Sequence, residues 1–207
     1  MFAVSILSQF MRNPGREHWE AVKRVIRYLK GSADMGLTLG TADTRLEAYV
    51  DANWASQSHC HSMTGYIVYL HGSPIAWSAR KQSIIALSTA EAEYIALTSV
   101  AREVLHLQSL LDELYDMPTL STPIYCDNQA AIALASNTKF HARTKHIDIR
   151  FHFVRDCVRS EVFELVYCPT DENVADAFTK ALAKPRHQKL RALMNLGSAR
   201  GGVLRSE

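Results

Sequence analysis

Four carboxylates stand where the chain changes direction, and they are the residues best suited to do chemistry. Asp51 ends the run "AYVDANWA", Asp127 ends "PIYCDNQAA", and Asp176 lies in "ENVADAFTK". The fourth comes from "ALSTAEAEYIAL", where Glu91 and Glu93 share one turn. Singly, each aspartate has a structural account. Asp51 suits a turn, Asp127 suits the N-cap of a following helix, and Asp176 can pair with Lys180 one helical turn on. Together they have another. Strand ends and the first turn of a helix packed on the same sheet can converge on one spot. Four carboxylates there repel unless divalent cations neutralise them, and hard oxygen ligands suit Mg²⁺ or Mn²⁺. Two such ions activate a water and stabilise the leaving oxygen of a phosphodiester.

Local physics separates the two glutamates. Ser88-Thr89-Ala90-Glu91 fits a capping box, with Glu91 reaching back to the Ser88 backbone N–H. At helical steps, Glu93 heads the row Leu97, Val100, Val104, Leu107 and Leu111, which must pack on a sheet. Glu91 heads a mixed, wetter row of Ile95, Thr98 and Arg102. A carboxylate at the top of a buried stripe is costly unless it is compensated. Glu93 also has a structural account, as a first-turn residue favoured by the helix dipole.

These groups need elements to position them. Apolar periodicity predicts an amphipathic basic helix over 17–30, with Trp19, Val22, Val25, Ile26 and Leu29 on one face. A turn-rich joint over 31–45 follows. Strand-like runs cover 46–52, 64–71 and 74–79, the last two joined by "HGSP". Then come a long helix (88–115), a strand (123–127), helices (128–136 and 144–160), a strand (162–168), a helix (171–182) and a basic helix (186–195). Three adjacent strands point to an antiparallel meander, and two strands that each follow helix point to parallel additions. The expected class is α/β, a mixed five-stranded sheet flanked by helices. The expected division is a helical segment and joint over 1–45, a main domain over 46–196 and a flexible tail over 197–207.

The 207 residues carry a net charge of +2, with 47% hydrophobic and 21% charged side chains, an ordinary globular composition. Positive charge clusters at 11–30 and 141–159, and clustering matters more than the total. The four cysteines, Cys60, Cys126, Cys157 and Cys168, form no C-x-x-C pair and read as reduced thiols. No apolar run approaches the roughly 20 residues of a membrane span, and no signal-peptide cleavage site follows the apolar start. That start within a helix suggests a piece of something longer. In "HARTKHIDIRFHFVR", Arg143, Lys145, His146 and Arg150 suit either a solvated basic helix or phosphate contact. A zinc site from His141, His146 and His152 has no cysteine at ligand spacing to support it. Trp54, Trp77 and Tyr94 suit the core better than a stacking surface.

The strings "YVDANWA", "SMTGYIVYLHGSPIAWSARKQSIIALSTAEAEYIAL", "YCDNQAAIALA", "HARTKHIDIRFHFVRD" and "NVADAFTKAL" together resemble the ribonuclease H domain of copia-type LTR retrotransposon polyproteins, over about residues 46–195. Residues 1–35 look like the end of the preceding reverse transcriptase. The resemblance implies a ribonuclease H-like fold and cleavage of the RNA strand of RNA/DNA hybrids by a Mg²⁺-dependent, two-metal mechanism. It implies the acidic quartet Asp51, Glu93, Asp127 and Asp176, choosing the same glutamate as the helical rows. It also implies an RNA/DNA hybrid and the upstream reverse transcriptase region as partners, in a cytoplasmic virus-like particle and in the nucleus. Asn128 and Gln129, beside Asp127, are candidates for 2′-hydroxyl contacts. One departure is the loop "CPTDEN", which lacks the histidine of cellular ribonucleases H and leaves Asp171 and Glu172 as weak substitutes. A non-catalytic hybrid-binding relic and an integrase-like strand transferase are the competing readings.

Overall fold

The computed structural model describes residues 1–40, 45–55, 61–115, 120–136 and 148–198. In chain order these form α1 (Phe2–Ser8), α2 (Arg16–Gly31), β1 (Met35–Leu37), β2 (Glu47–Asn53), β3 (Met63–Leu70), β4 (Ser73–Lys81) and α3 (Thr89–Tyr115). Then follow β5 (Thr122–Cys126), α4 (Gln129–Ser136), α5 (Asp148–Arg159), β6 (Phe163–Tyr167), α6 (Asp176–Thr179), α7 (Lys184–Leu193) and β7 (Leu196–Ser198).

The five longer strands make one sheet in the order β4-β3-β2-β5-β6. The pairs β2–β3 and β3–β4 are antiparallel, and β2–β5 and β5–β6 are parallel. This is the mixed five-stranded sheet expected from the sequence, three antiparallel strands with two parallel additions. His71 and Gly72 both take positive φ, 51° and 68°, which closes the β3–β4 hairpin with the twist its strands need. The parallel register pairs Val50 with Cys126, so the next step along both strands brings Asp51 level with Asp127.

One face of the sheet packs under α3. Val50, Val68 and Ile124 meet Leu97, Val100 and Val104, all at most 1% exposed. Burial of each such side chain stabilises by about 1.5–3 kcal/mol. The other face holds Ile67, Tyr69 and Ala79 against Val174 and Phe178. Gly65 on β3 permits that approach: a Cβ there would lie 2.6 Å from Thr179 Cγ2 and 2.7 Å from Phe178 Cβ.

Several expectations need correction. The helix expected over 171–182 is only the short α6, because Asn173 turns the chain first: its Oδ1 accepts from Ala175 N–H (3.0 Å) while its Nδ2 donates to Val50 O (2.8 Å). Asp176 therefore opens a single turn. Trp54 and Trp77 are not core; they are 45% and 46% exposed, and the Trp54 indole donates to Ala86 O (3.0 Å). Tyr94 is core as expected, at 0% exposure, with its hydroxyl donating to Phe151 O (3.2 Å). The joint over 31–45 contains β1, which pairs antiparallel with β7, Met35 opposite Ser198. Helix α2 forms as expected, but it buries no residue, and Trp19, Ile26 and Leu29 stay exposed.

Candidate metal centre

The four carboxylates converge. Asp51 comes from β2, Asp127 from the residue after β5, Glu93 from the first turns of α3, and Asp176 from the start of α6. Ligand atoms of Asp51, Asp127 and Asp176 all lie within 4.8 Å of one another. So do those of Glu93, Cys126 and Asp127, which makes Asp127 common to both groups.

Glu93 is 5% exposed, and its Oε2 is buried without a hydrogen-bond partner. Burial, and then the neighbouring Asp51 and Asp127, hold its carboxyl well above the usual carboxylate range. Such a group favours neutralisation by a proton or a cation. Asp51, 1% exposed, is also raised, chiefly by burial. Lys180 and a hydrogen bond from Thr179 Oγ1 partly offset that rise. The Lys180 ammonium bridges Asp51 Oδ1 (3.1 Å) and Asp176 Oδ1 (2.6 Å). Burial pulls the Lys180 pKa down, but the two carboxylates outweigh it and hold it above the normal lysine value.

Further basic and hydroxyl groups frame the pocket. Arg186 on α7 pairs with Asp176 Oδ2 (3.1 Å) and donates to the carbonyls of Thr170 (2.6 Å), Asp171 and Asn173. It thereby fastens the loop "CPTDEN", from which Thr170 Oγ1 donates to Asp127 Oδ2 (2.7 Å). The carboxyl-bearing residues Asp171 and Glu172 of that loop are exposed. Burial pushes the Cys126 thiol up, so it remains protonated beside the acids. The pocket thus offers carboxylate oxygens, one of them buried and unpartnered, and that donor set fits a hard divalent cation.

The capping box at α3 forms with one change. Glu91 N–H donates to Ser88 Oγ (3.2 Å), but Glu91 Oε2 accepts from Leu87 N–H (2.8 Å), not from Ser88. Glu91 is buried at 9% exposure, so its row is drier at the start than expected. It belongs to neither acidic group.

No family model matches the chain. The retrovirus-related Pol polyprotein from transposon TNT 1-94 of Nicotiana tabacum is 41% identical over 197 residues, 95% of this chain. The corresponding polyprotein from transposon RE2 of Arabidopsis thaliana is 40% identical over 209 residues, 99% of this chain. The sequence is related to transposon Pol polyproteins. It spans only 15% and 14% of those two relatives' lengths. Among solved structures, LC11-RNase H1, isolated from compost, is 17% identical with a TM-score of 0.49, covering 65% of this chain and 92% of that one. The same enzyme in complex with an RNA/DNA hybrid gives 17% and 0.48, covering 65% and 94%.

In this Pol-related chain the remaining candidates divide. Asn128 caps α4, its Oδ1 accepting from Ala131 N–H (3.0 Å), and Gln129 is exposed as the first residue of that helix. Arg150 lies on α5 in a groove whose lining includes Arg102 and none of the four carboxylates. Arg143, Lys145, His141 and His146 lie outside the described residues, and His152 is exposed. Sequence reasoning paired Lys180 with Asp176 but missed its bond to Asp51, and it missed Arg186, Thr170, Thr179 and Asn173 altogether. Only the spacing of Asp176 and Lys180 carried a local signal.

Proposed function

We propose that this chain is the ribonuclease H region of a copia-type retrotransposon polyprotein and cleaves the RNA strand of RNA/DNA hybrids. The observation that carries the reading is the meeting of Asp51, Glu93, Asp127 and Asp176 in one pocket, with a buried Glu93 oxygen left unpartnered. The relationship to Pol polyproteins over nearly the whole chain supports it. These four residues would hold two Mg²⁺ ions, or Mn²⁺, which when bound activate the attacking water and stabilise the 3′ oxygen leaving group.

The chain's own residues supply the framework. Asp127 belongs to both acidic groups and ties them into one centre. Thr170 orients Asp127 by donating to one carboxylate oxygen, leaving the other oxygen available. Thr179 and Lys180 hold Asp51 from the opposite side, while Arg186 fixes the entry to α6 and so places Asp176. The upstream partner would be the reverse transcriptase region of the same polyprotein, to which residues 1–35 would belong.

A second reading, a hybrid-binding module that does not cut, is favoured by one observation: Lys180 and Arg186 already pair with Asp51 and Asp176. A labelled RNA/DNA hybrid with Mg²⁺ separates the two. Cleavage by the wild type that disappears in Asp127→Asn establishes the nuclease. Binding without cleavage in both proteins overturns it in favour of the non-cutting module, and joining of DNA ends would indicate a strand transferase.

A further inference from the structure

Helix α7 carries Arg186, and the core alone does not seat it: Leu190 is its one buried residue. Arg186 lies one turn before Leu190 on the same face. From there its guanidinium pairs with Asp176 Oδ2 (3.1 Å) and donates to Thr170 O (2.6 Å). Lys189 adds a bond to Asp171 O (3.0 Å). The loop gripped in this way supplies Thr170 to Asp127 and Asn173 to Val50 O. The seat of α7 therefore governs the partners of two of the four carboxylates.

Another side of α7 is held by the segment that precedes the sheet. His187 follows Arg186 and is turned about 100° round the helix. It meets Tyr28 of α2 edge-on, with ring centroids 5.5 Å apart and planes at 86°. Just past α7, Asn195 takes a left-handed φ of 55° and donates its N–H to Ala192 O (3.0 Å), which ends the helix. The Asn195 carbonyl accepts from Thr38 N–H (3.1 Å), and its Nδ2 donates to Gly72 O (2.6 Å) in the β3–β4 turn. Strand β7 then pairs with β1 through Met35–Ser198, Gly36–Gly197 and Leu37–Leu196. A two-stranded ribbon this short is marginal by itself. Helix α2 buries no residue of its own. The ring contact at one end and the Thr38–Asn195 bond at the other thus do much to keep α2–β1 and α7–β7 together.

We infer that α2 and β1 brace the acidic pocket through α7, with Tyr28 as a positioning residue that acts by way of Arg186 on Asp176. The catalytic consequence rests on the nuclease reading above: residues before the sheet complete the site without touching it. Tyr28 then governs how firmly Asp176 is held, and its loss falls on the chemical step, not on substrate affinity.

The test is a double-mutant cycle read by amide hydrogen exchange in chelator, where no metal contributes. The full chain is compared as wild type, Tyr28→Ala, Tyr28→Phe, Arg186→Gln, and Tyr28→Ala combined with Arg186→Gln. Tyr28 is 44% exposed, so replacing it leaves the fold intact. The amides to follow are those of Asp176 and Phe178, which donate to Asn173 O and Ala175 O. Tyr28→Ala is expected to speed their exchange by about two- to tenfold, the worth of one aromatic edge contact. Tyr28→Phe keeps the ring and should keep the wild-type rate. In Arg186→Gln, where the link is already cut, Tyr28→Ala should add nothing. In cleavage of a labelled RNA/DNA hybrid with Mg²⁺, Tyr28→Ala should lower kcat by the same factor and leave KM unchanged. Exchange and kcat unmoved by Tyr28→Ala, in a wild type that cuts, overturn the brace alone. Equal effects of Tyr28→Ala with and without Arg186 overturn the route through α7. A wild type that does not cut the hybrid overturns the nuclease reading, and the exchange cycle still decides the brace.

Discussion

The two ends of the acidic pocket are built on opposite principles. At one end Glu93 and Asp127 meet beside the neutral Cys126 thiol, and a buried Glu93 oxygen has no partner. At the other, Asp51 and Asp176 share the Lys180 ammonium, and Asp176 also takes Arg186. The uncompensated end comes from the sheet and α3, the elements with the largest shared core. The compensating cations are Lys180, the residue after α6, and Arg186 on α7. The core thus tolerates an unfavourable buried carboxylate in a donor set that could hold a cation, while the C-terminal elements compensate the other half of the pocket with their own cations.

Asp127 is the residue both ends share, so its loss should have the largest effect. Asp127→Asn is expected to lower hybrid cleavage by about a thousandfold or more, the equivalent of several kcal/mol of charge stabilisation. Retention of cleavage within tenfold, in a quantitative hybrid assay, would mean that the two ends do not work as one centre. Next is Lys180→Met, which leaves Asp51 and Asp176 facing each other. Breaking a fully buried pair costs about 3–5 kcal/mol. Lys180 is 31% exposed, so solvent screening reduces the expected loss to about 1–3 kcal/mol. In a calorimetric melt with chelator this is a fall of about 2–4 °C per kcal/mol, and Mg²⁺ should restore most of it. A melt insensitive to Lys180→Met would remove the contrast between the ends.

Gly65→Ala sharpens the same contrast through packing. Its Cβ would press on Thr179 and Phe178 and on the Ala175 carbonyl at 3.1 Å, pushing α6 off the sheet. Overpacking of this kind costs about 1–3 kcal/mol. The expected result is a lower Tm together with weakened cleavage, because Thr179 and Asp176 move with α6. A lower Tm with full activity would mean that α6 does not need this close seat to place its carboxylate.

All four carboxylates were legible in the sequence, whereas of the cations that compensate Asp51 and Asp176 only the pairing of Lys180 with Asp176 was. Glu93 was separable from Glu91 because helical periodicity is local: a row of Leu97, Val100 and Val104 marks the buried side. Strand ends at Asp51 and Asp127 followed from apolar runs and the turn residues after them. Lys180 bonding to Asp51 joins residues on separate elements, far apart in the chain, and only the seating of α6 against β3 creates it. The helix expected over 171–182 was overextended because periodicity cannot register that Asn173 spends its side chain on Val50. Trp54 and Trp77 were misjudged for a related reason. Bulk alone suggests burial, whereas Trp54 satisfies its N–H at the surface.

Acidity should report the same asymmetry. The carboxyls of Glu93 and Asp51 are raised by burial in the native fold. A raised folded value means that the native state holds its protons more tightly than the unfolded chain does. Its stabilising contribution is complete below the ordinary values, 4.5 for Glu93 and 3.8 for Asp51, and is lost as pH rises through the folded ones. In chelator, stability should therefore decline as pH rises above about 4.5, and Mg²⁺ should flatten the decline by favouring the ionised carboxylates. Glu93→Gln should remove most of that slope, abolish cutting and leave metal-free stability at neutral pH equal or higher. A slope unchanged in Glu93→Gln would place the acid-linked proton elsewhere.

The smallest expected effect is also the most discriminating, because it concerns a glutamate two residues from Glu93. Glu91 accepts from Leu87 N–H and its own N–H meets Ser88, so its role closes on the start of α3. Glu91→Gln keeps an acceptor oxygen and loses only the negative charge near the helix N-terminus. The expected cost is at most about 1 kcal/mol, or a Tm lower by up to about 4 °C, with hybrid cleavage unchanged. Two neighbouring carboxylates, both buried, would then divide cleanly into a cap and a ligand by where their oxygens point. If Glu91→Gln stopped cleavage while Glu93→Gln only lowered Tm, the direction of the oxygens would have misled, and the unpartnered Oε2 would be a packing defect with no cation to receive.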